Sequence, residues 1–300
     1  MEVKYISLEQ EFKIKDEICL CLGYFDGIHL GHQKLIQKAK ESIYKSGLLT
    51  FEFLDNFSFK KDCYITSLDD KIEILESCGV DYLIILKFDD KVKNLSCDEF
   101  IHKIIVKLNV KEVVVGQDYT FAKMAEGNVE TLKTYHDLFK VDVVDELLDD
   151  GKKIGTRNII SLIEEGKIEK ANLLLGHNYQ ITGEVLKGYG FGNKHHFPTA
   201  NIALNKYVKP QNGVYACLVI IDKIKYRGMC NIGVHPTVNQ LDKAVIEVNI
   251  FDFNEDIYHH KIKIQLIKYM REEMKFNNID ELYAQLLIDK ENAIDYFKNK

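Results

Sequence analysis

Residues 23–32 read GYFDGIHLGH, directly after the apolar run EICLCL at residues 17–22 and at the head of a helix-like stretch, IHLGHQKLIQKAKES. That order predicts a buried strand over EICLCL, a tight connection at its carboxyl end over GYFDG, and a helix behind it. In open α/β sheets, ligands bind beyond the carboxyl ends of strands, and the exposed N–H groups of a helix start attract phosphate. His29 and His32 stand three residues apart and so share one face of the first turn, with Gly31 between them leaving the backbone accessible. Two imidazoles added to the helix dipole suit a site that holds the phosphates of a nucleotide and stabilises charge developing during transfer. Taken alone, the motif is explained as well by an accident of the surface. A metal pair is disfavoured, because no third clustered ligand accompanies the histidines.

The chain of 300 residues has room for two domains of ordinary size, at roughly 100 to 200 residues each. With 46% hydrophobic and 29% charged residues it fills ordinary cores and lacks the composition of a disordered chain. A formal charge of -6 argues against a general nucleic-acid or membrane-surface binder and leaves room for a local phosphate pocket. The cysteines Cys19, Cys21, Cys63, Cys78, Cys97, Cys217 and Cys230 include no C-x-x-C pair, so neither a disulfide framework nor a structural zinc is indicated. The opening MEVKYISLEQEFKIK lacks a basic segment followed by an apolar one, and no apolar run approaches ~18 residues. The expectation is a cytoplasmic protein with no membrane partner and no nucleic-acid partner.

Outward from the opening stretch, YLIILKF (82–88) and VKEVVVG (110–116) alternate with the helical spacing of KLIQKAKESI and DEFIHKIIVKL, which predicts a parallel α/β sheet. The second half changes character. A helix over IISLIEEGKIEKANLLLG is followed by YQITGEVLKG, GVYACLVIID, KIKYRGMCNIG, AVIEVNIFDF and HKIKIQLIKYM, strand-like pieces that fit a compact antiparallel barrel. A helix over IDELYAQLLIDKENAIDYF closes the chain. The boundary is placed between residues 165 and 180, giving domains 1–170 and 171–300.

The motif GYFDGIHLGH resembles the nucleotidyltransferase signature of the bifunctional prokaryotic riboflavin kinase/FAD synthetases. The resemblance continues through SLDDKIEILESCGVDYLIILKF, CDEFI, VVVGQDYTF and EGKIEKANLLLGHNYQITGEV in the family's order. It implies a Rossmann-like nucleotidyltransferase domain followed by a six-stranded antiparallel riboflavin kinase barrel with a terminal helix. The first domain would transfer AMP from ATP to FMN. His29 and His32 would act on the ATP phosphates, Gly23, Phe25, Asp26 and Gly27 would shape the same site, and Asp118 would meet the flavin.

FPTANI at 197–202 is similar to the riboflavin kinase signature. In an extended segment Thr199 and Asn201 project to one side, where their oxygens suit Mg²⁺, a hard cation that prefers oxygen ligands and substrate phosphates. By the resemblance Thr199 also meets ATP and Asn201 the flavin. Glu247 interrupts the apolar strand AVIEVNIFDF, so it faces water or is buried with partners. It matches the family's carboxylate that draws the proton from the ribityl hydroxyl of riboflavin. YMREEMKF resembles a flavin-side segment through Arg271 and Glu273, although a solvated charge cluster explains either residue alone. Gly183, Gly188, Gly190 and Gly192 in GEVLKGYGFGN suit a loop whose N–H groups approach ATP phosphates.

The departures are specific. TFEFLDNF lacks the prolines and histidine of the family's F-x-P-H-P, with the changes spanning Phe53 to Asn56. IGTRNI keeps Thr156 but places Ile159 where an arginine is expected, leaving Arg157 as the cation for the triphosphate. His196 and Asn193 also depart from the kinase pattern. The expected function is phosphorylation of riboflavin to FMN and adenylylation of FMN to FAD, with ATP as co-substrate and Mg²⁺ as cofactor. The alternatives are a kinase with a weakened transferase domain and a non-catalytic flavin-binding regulator. Oligomeric state is not legible in the sequence.

Overall fold

The computed structural model describes residues 1–52, 63–186, 197–234 and 244–299, and the chain divides into two compact units. The first comprises Met1–Asp62 and Leu68–Gly155, the second Cys63–Ser67 and Thr156–Lys300.

The first unit is built on β1 (Glu2–Ile6), β2 (Ile18–Leu22), β3 (Lys45–Phe51), β4 (Tyr82–Leu86), β5 (Val110–Gly116) and β6 (Lys140–Val144). Their order in the sheet is β1-β4-β3-β2-β5-β6, and every neighbouring pair is parallel. The strand ICLCL is buried at all five positions, as expected of a central strand covered on both faces. Its alternate residues serve two cores: Ile18, Leu20 and Leu22 on one face, Cys19 and Cys21 on the other. The second core also takes Phe25 and Ile28 of the connection and Leu35, Ile36 and Ala39 of α1 (Leu30–Lys40), so it fixes turn and helix together. From β2 the chain builds β3 and β4 to one side, then returns to lay β5 and β6 on the other. The carboxyl end of β2 is thus the topological switch point, where open sheets leave a crevice.

In the second unit, α3 (Thr156–Glu164) and α4 (Ile168–Leu175) replace the single helix expected over residues 159–176. Gly166 separates them with φ of 71°, a left-handed conformation that ends the first helix. Six strands follow: β7 (Gln180–Leu186), β8 (Ala200–Ala203), β9 (Gly213–Ile221), β10 (Ile224–Val234), β11 (Ala244–Ile250) and β12 (Lys261–Arg271). They close into an antiparallel barrel in the order β7-β8-β11-β10-β9-β12, with β7 pairing back to β12. Closure leaves no sheet edge. Ile181, Ile202, Ile232, Ile246, Val248 and Ile264 are all 0% exposed and form the interior rows of the pleat.

Asn172 ties α4 to the barrel by donating to the Leu266 carbonyl at 2.8 Å and accepting from the Tyr179 N–H at 2.7 Å. The terminal helix, which we label α5 once α2 (Leu68–Ser77) of the first unit is counted, spans Ile279–Lys298 and buries Ala293 against Ala216, Met229 and Phe251. The segment Cys63–Ser67 also belongs to this unit. Tyr64 N–H donates to the Lys206 carbonyl at 2.8 Å, and the rings of Tyr64 and Tyr207 meet edge to face at 4.8 Å.

Candidate active sites

The opening motif occupies the switch point. After β2, the backbone turns left-handed at Phe25 (φ 54°), Gly27 (φ 79°) and Ile28 (φ 39°), around a 3-10 turn over Asp26–Ile28. Such values are rare for a β-branched residue and store strain that accumulates at functional sites. Burial of Phe25 and Ile28, at 1% and 0% exposure, holds the turn in place. His29 is the N-cap of α1, and its Nδ1 accepts from the His32 N–H at 3.3 Å. With Nδ1 accepting, the ring proton of neutral His29 sits on Nε2. The two imidazoles stack with centroids 3.7 Å apart and an interplanar angle of 20°, and Phe25 meets His32 edge-on at 5.1 Å. A Cβ at Gly31 would lie 3.1 Å from the His29 ring, so this position favours glycine. Gly23 lies under the Phe25 ring in the same way. The turn thus holds a helix start and a fixed imidazole pair at the switch point, with His29 5% exposed and His32 half-buried.

Beneath the turn is a residue the sequence did not single out. Lys71, in the first turn of α2, is 3% exposed, and its Nζ donates to the Tyr24 carbonyl at 2.7 Å and to Thr50 Oγ1 at 3.1 Å. Thr50 donates to the same Tyr24 carbonyl at 2.8 Å. Burial pushes the Lys71 ammonium down from 10.5 to about 8, against the opposing pull of the Asp26 carboxylate. The signal in the sequence was a lysine at a position where α2 buries its neighbours Asp70 and Leu75.

In the second unit, the strand register assembles the kinase candidates. Glu247 on β11 stands opposite Asn201 on β8 and opposite Asn231 on β10. Directly opposed residues of antiparallel strands share a face. Their neighbours Ile246, Val248, Ile202 and Ile232 point into the barrel, so the polar row lies on its outer face, half-buried. Glu247 is therefore neither fully solvated nor buried in the interior. Thr199 and Asn201 flank buried Ala200 and face the same way, as alternation predicted. Asn249, two residues beyond Glu247, is 6% exposed and donates to the Pro198 carbonyl at 2.8 Å, which fastens the FPTAN segment to β11. Beside it opens a cavity of about 550 Å³ whose lining includes Pro198, Thr199, Val248, Phe253, Asp256 and Tyr258.

Comparison with known proteins bears on both sites. A FAD synthetase family model matches residues 11–158, and a riboflavin kinase family model matches residues 175–297. The bifunctional riboflavin kinase/FMN adenylyltransferase of Bacillus subtilis is 40% identical over 293 residues, covering 93% of this chain and 92% of its own. This chain belongs to the riboflavin kinase/FMN adenylyltransferase family. The Escherichia coli K12 protein of the same description is 33% identical and covers 93% of this chain and 92% of its own. A crystal structure described as a macrolide-efflux protein from Streptococcus pneumoniae superposes with a TM-score of 0.88 at 32% identity, covering 96% of this chain and 97% of that one. No helix among the described residues is long and apolar enough to cross a membrane.

The other residues singled out in the sequence are spread over both units. Asp118 follows β5 and is paired with Lys153 at 2.6 Å, which also reaches Glu146 at 2.6 Å. Thr156 and Arg157 open α3 and belong to the second unit, with Arg157 exposed; Ile159 is fully buried and packs as a core residue. Gly183 is not in a loop. It lies within β7, where a Cβ would collide with Ile202 Cγ2, so packing explains it. Gly188, Gly190, Gly192, Asn193 and His196 lie outside the described residues, as does the stretch Phe53 to Asn56. Arg271 ends β12 and forms a two-pronged ion pair with buried Asp289 of α5, at 2.9 Å and 2.5 Å. Glu273 accepts from Asn212 Nδ2 at 2.9 Å, and its carboxylate covers Gly233, where any Cβ would strike Oε1. Gly233 is two residues from Asn231, so Glu273 stands beside the polar row of Glu247.

Proposed function

We propose that Glu247 is the base of the kinase reaction, and that the His29 and His32 pair serves adenylyl transfer. The family's two activities, riboflavin phosphorylation and FMN adenylylation, are those of this chain, and ATP is the nucleotide of both. The observation that carries the kinase assignment is the register Asn201–Glu247–Asn231. It sets a carboxylate between two amides on a half-buried surface, on the side of the FPTAN segment that carries Thr199.

In the kinase step, the 5′ hydroxyl oxygen of riboflavin attacks the γ-phosphorus of ATP, the bond to ADP breaks, and Glu247 takes the hydroxyl proton. The cavity beside Thr199 receives the nucleotide, and Glu273 with Arg271 borders the flavin. The donor chemistry fits magnesium: Thr199 and Asn201 offer neutral oxygens on one side of an extended segment, and substrate phosphates complete such a shell. When bound there, the cation neutralises charge on the transferred phosphoryl group.

In the transferase step, an FMN phosphate oxygen attacks the α-phosphorus of ATP and the bond to pyrophosphate breaks. His29 Nε2–H, His32 and the N–H groups at the start of α1 stabilise the triphosphate and the departing pyrophosphate. Asp118 is assigned to the flavin. The cysteines form no disulfide among the described residues, which suits a cytoplasmic location. The test is incubation with riboflavin, ATP and Mg²⁺ while both products are followed by chromatography. FMN followed by FAD supports the reading, and FMN without FAD assigns the chain a kinase alone.

A further inference from the structure

We propose that Lys71 is a positioning residue for adenylyl transfer: its buried ammonium clamps the Tyr24 carbonyl and Thr50, and so sets the strained turn that aims His29 at the triphosphate. The inference rests on the transferase reading of the first unit. A lysine at 3% exposure is rare unless it is paired, because a buried charge costs free energy that its hydrogen bonds must offset. Here the cost is met at one place, the connection between β2 and α1. The Tyr24 carbonyl receives both the ammonium at 2.7 Å and the Thr50 hydroxyl at 2.8 Å. Tyr24 immediately precedes Phe25, the first of the left-handed residues. A hydrogen-bonding clamp on the carbonyl that leads into the turn restrains the backbone just where φ is least favourable. Charge-assisted hydrogen bonds are about twice as strong as neutral ones, which suits an ammonium to that duty.

The groups that face Lys71 are the Asp26 carboxylate from the 3-10 turn, the Thr50 hydroxyl from β3 and the Tyr24 ring, 4.6 Å from Nζ to centroid. None of these needs a lysine for packing alone. Thr50 and Tyr24 could be satisfied by a neutral donor, and a methionine would fill the same space. The positive charge, set beneath a turn that faces a polyanion, is what a neutral substitute lacks.

The test uses the full chain. Wild-type protein given FMN, ATP and Mg²⁺ is expected to form FAD with a kcat/KM that is level at neutral pH and falls above about pH 8, where the ammonium is lost. K71M is expected to lose about 10²-fold in kcat, with KM for ATP and FMN within about threefold, and to show no alkaline fall. K71R stays charged across the range, so it should keep more rate than K71M and also lack the fall. Riboflavin phosphorylation by the second unit should stay within about twofold, and denaturant unfolding of the first unit shows that the variants fold. K71M with the wild-type rate, or with the wild-type alkaline fall, overturns the proposal. If neither variant folds, the wild-type profile decides, and a kcat/KM level from about pH 7 to about pH 9.5 overturns it. No FAD from wild-type protein sinks the transferase reading and this inference together. FAD formed equally by wild type and K71M sinks the inference alone.

Discussion

Asn201 and Glu247 are direct partners across the ladder between β8 and β11, and the pairing puts a carboxylate and an amide oxygen side by side on the outer face of the barrel. A proton acceptor fixed by strand register costs no reorganisation when the hydroxyl arrives. E247Q preserves shape and removes the acceptor. It is expected to lower kcat for FMN formation by about 10³-fold while riboflavin binding, followed by flavin fluorescence quenching, stays within about threefold. Turnover at the wild-type rate would remove Glu247 from the mechanism.

Thr199 and Asn201 share a side of the FPTAN segment, which Asn249 fastens through the Pro198 carbonyl. T199A or N201A is expected to raise the Mg²⁺ concentration for half-maximal FMN formation by about tenfold, leaving the Mg²⁺ dependence of FAD formation unchanged. N249A releases the segment without touching its oxygens. It should produce a smaller change in the same direction, and equal Mg²⁺ titrations for all three variants and wild type would refute the ligand assignment.

Local signals were the ones the sequence carried well. The strand, turn and helix of residues 17–40 are contiguous, so composition and spacing sufficed for β2, the turn and α1. Five of the six barrel strands were legible for the same reason, each being a short apolar run between turn residues, whereas β8 has only four residues and was read as an extended segment. Pairings between distant segments were not. Lys71 meets Tyr24 across 47 positions, and Arg271 meets Asp289 across 18, with nothing in either neighbourhood to announce the partner. The return of Cys63–Ser67 to the second unit is equally non-local. Gly183 misled because a glycine near other glycines reads as a loop, whereas here a methyl-sized collision with Ile202 explains it. Ile159 looked like a lost cation and is a core residue of α3.

His29 has two duties that substitution can separate: it caps α1 and it presents an imidazole. Asparagine is among the best N-caps, so H29N should keep the thermal midpoint of the first unit within about 2 °C. The same variant, and H32A, should lower FAD formation by about 10²-fold or more, with FMN formation unaffected. FAD formation at the wild-type rate in both variants would make the pair an accident of the surface.

The Arg271–Asp289 pair joins the end of the barrel to the terminal helix, and Gln285 adds a hydrogen bond to the same carboxylate at 2.9 Å. Asp289 has 2% side-chain exposure, so R271A strands a buried carboxylate and should cost the second unit about 3 to 5 kcal/mol. R271A/D289L removes both charges and should recover much of that loss. If the double variant regains stability and not the KM for riboflavin, Arg271 serves the flavin as well as the fold. Recovery of both would confine it to the fold.

Lys71 also makes a prediction about stability against pH. Its folded value, about 8, lies below the unfolded 10.5, so below about pH 8 both states hold the proton and folding bears the full cost of burying the charge. Between those values the unfolded state binds more protons, so stability contributed at this site rises with pH. Other groups titrate in the same range, and comparison with K71M cancels them. The difference in unfolding free energy between wild type and K71M should therefore move in favour of wild type by about 3 kcal/mol from pH 8 to pH 10.5, at ~1.4 kcal/mol per pKa unit. Denaturant unfolding of the first unit at a series of pH values measures it. A difference that stays constant, or that moves in favour of K71M, would mean that Lys71 is not a buried ammonium in the folded protein.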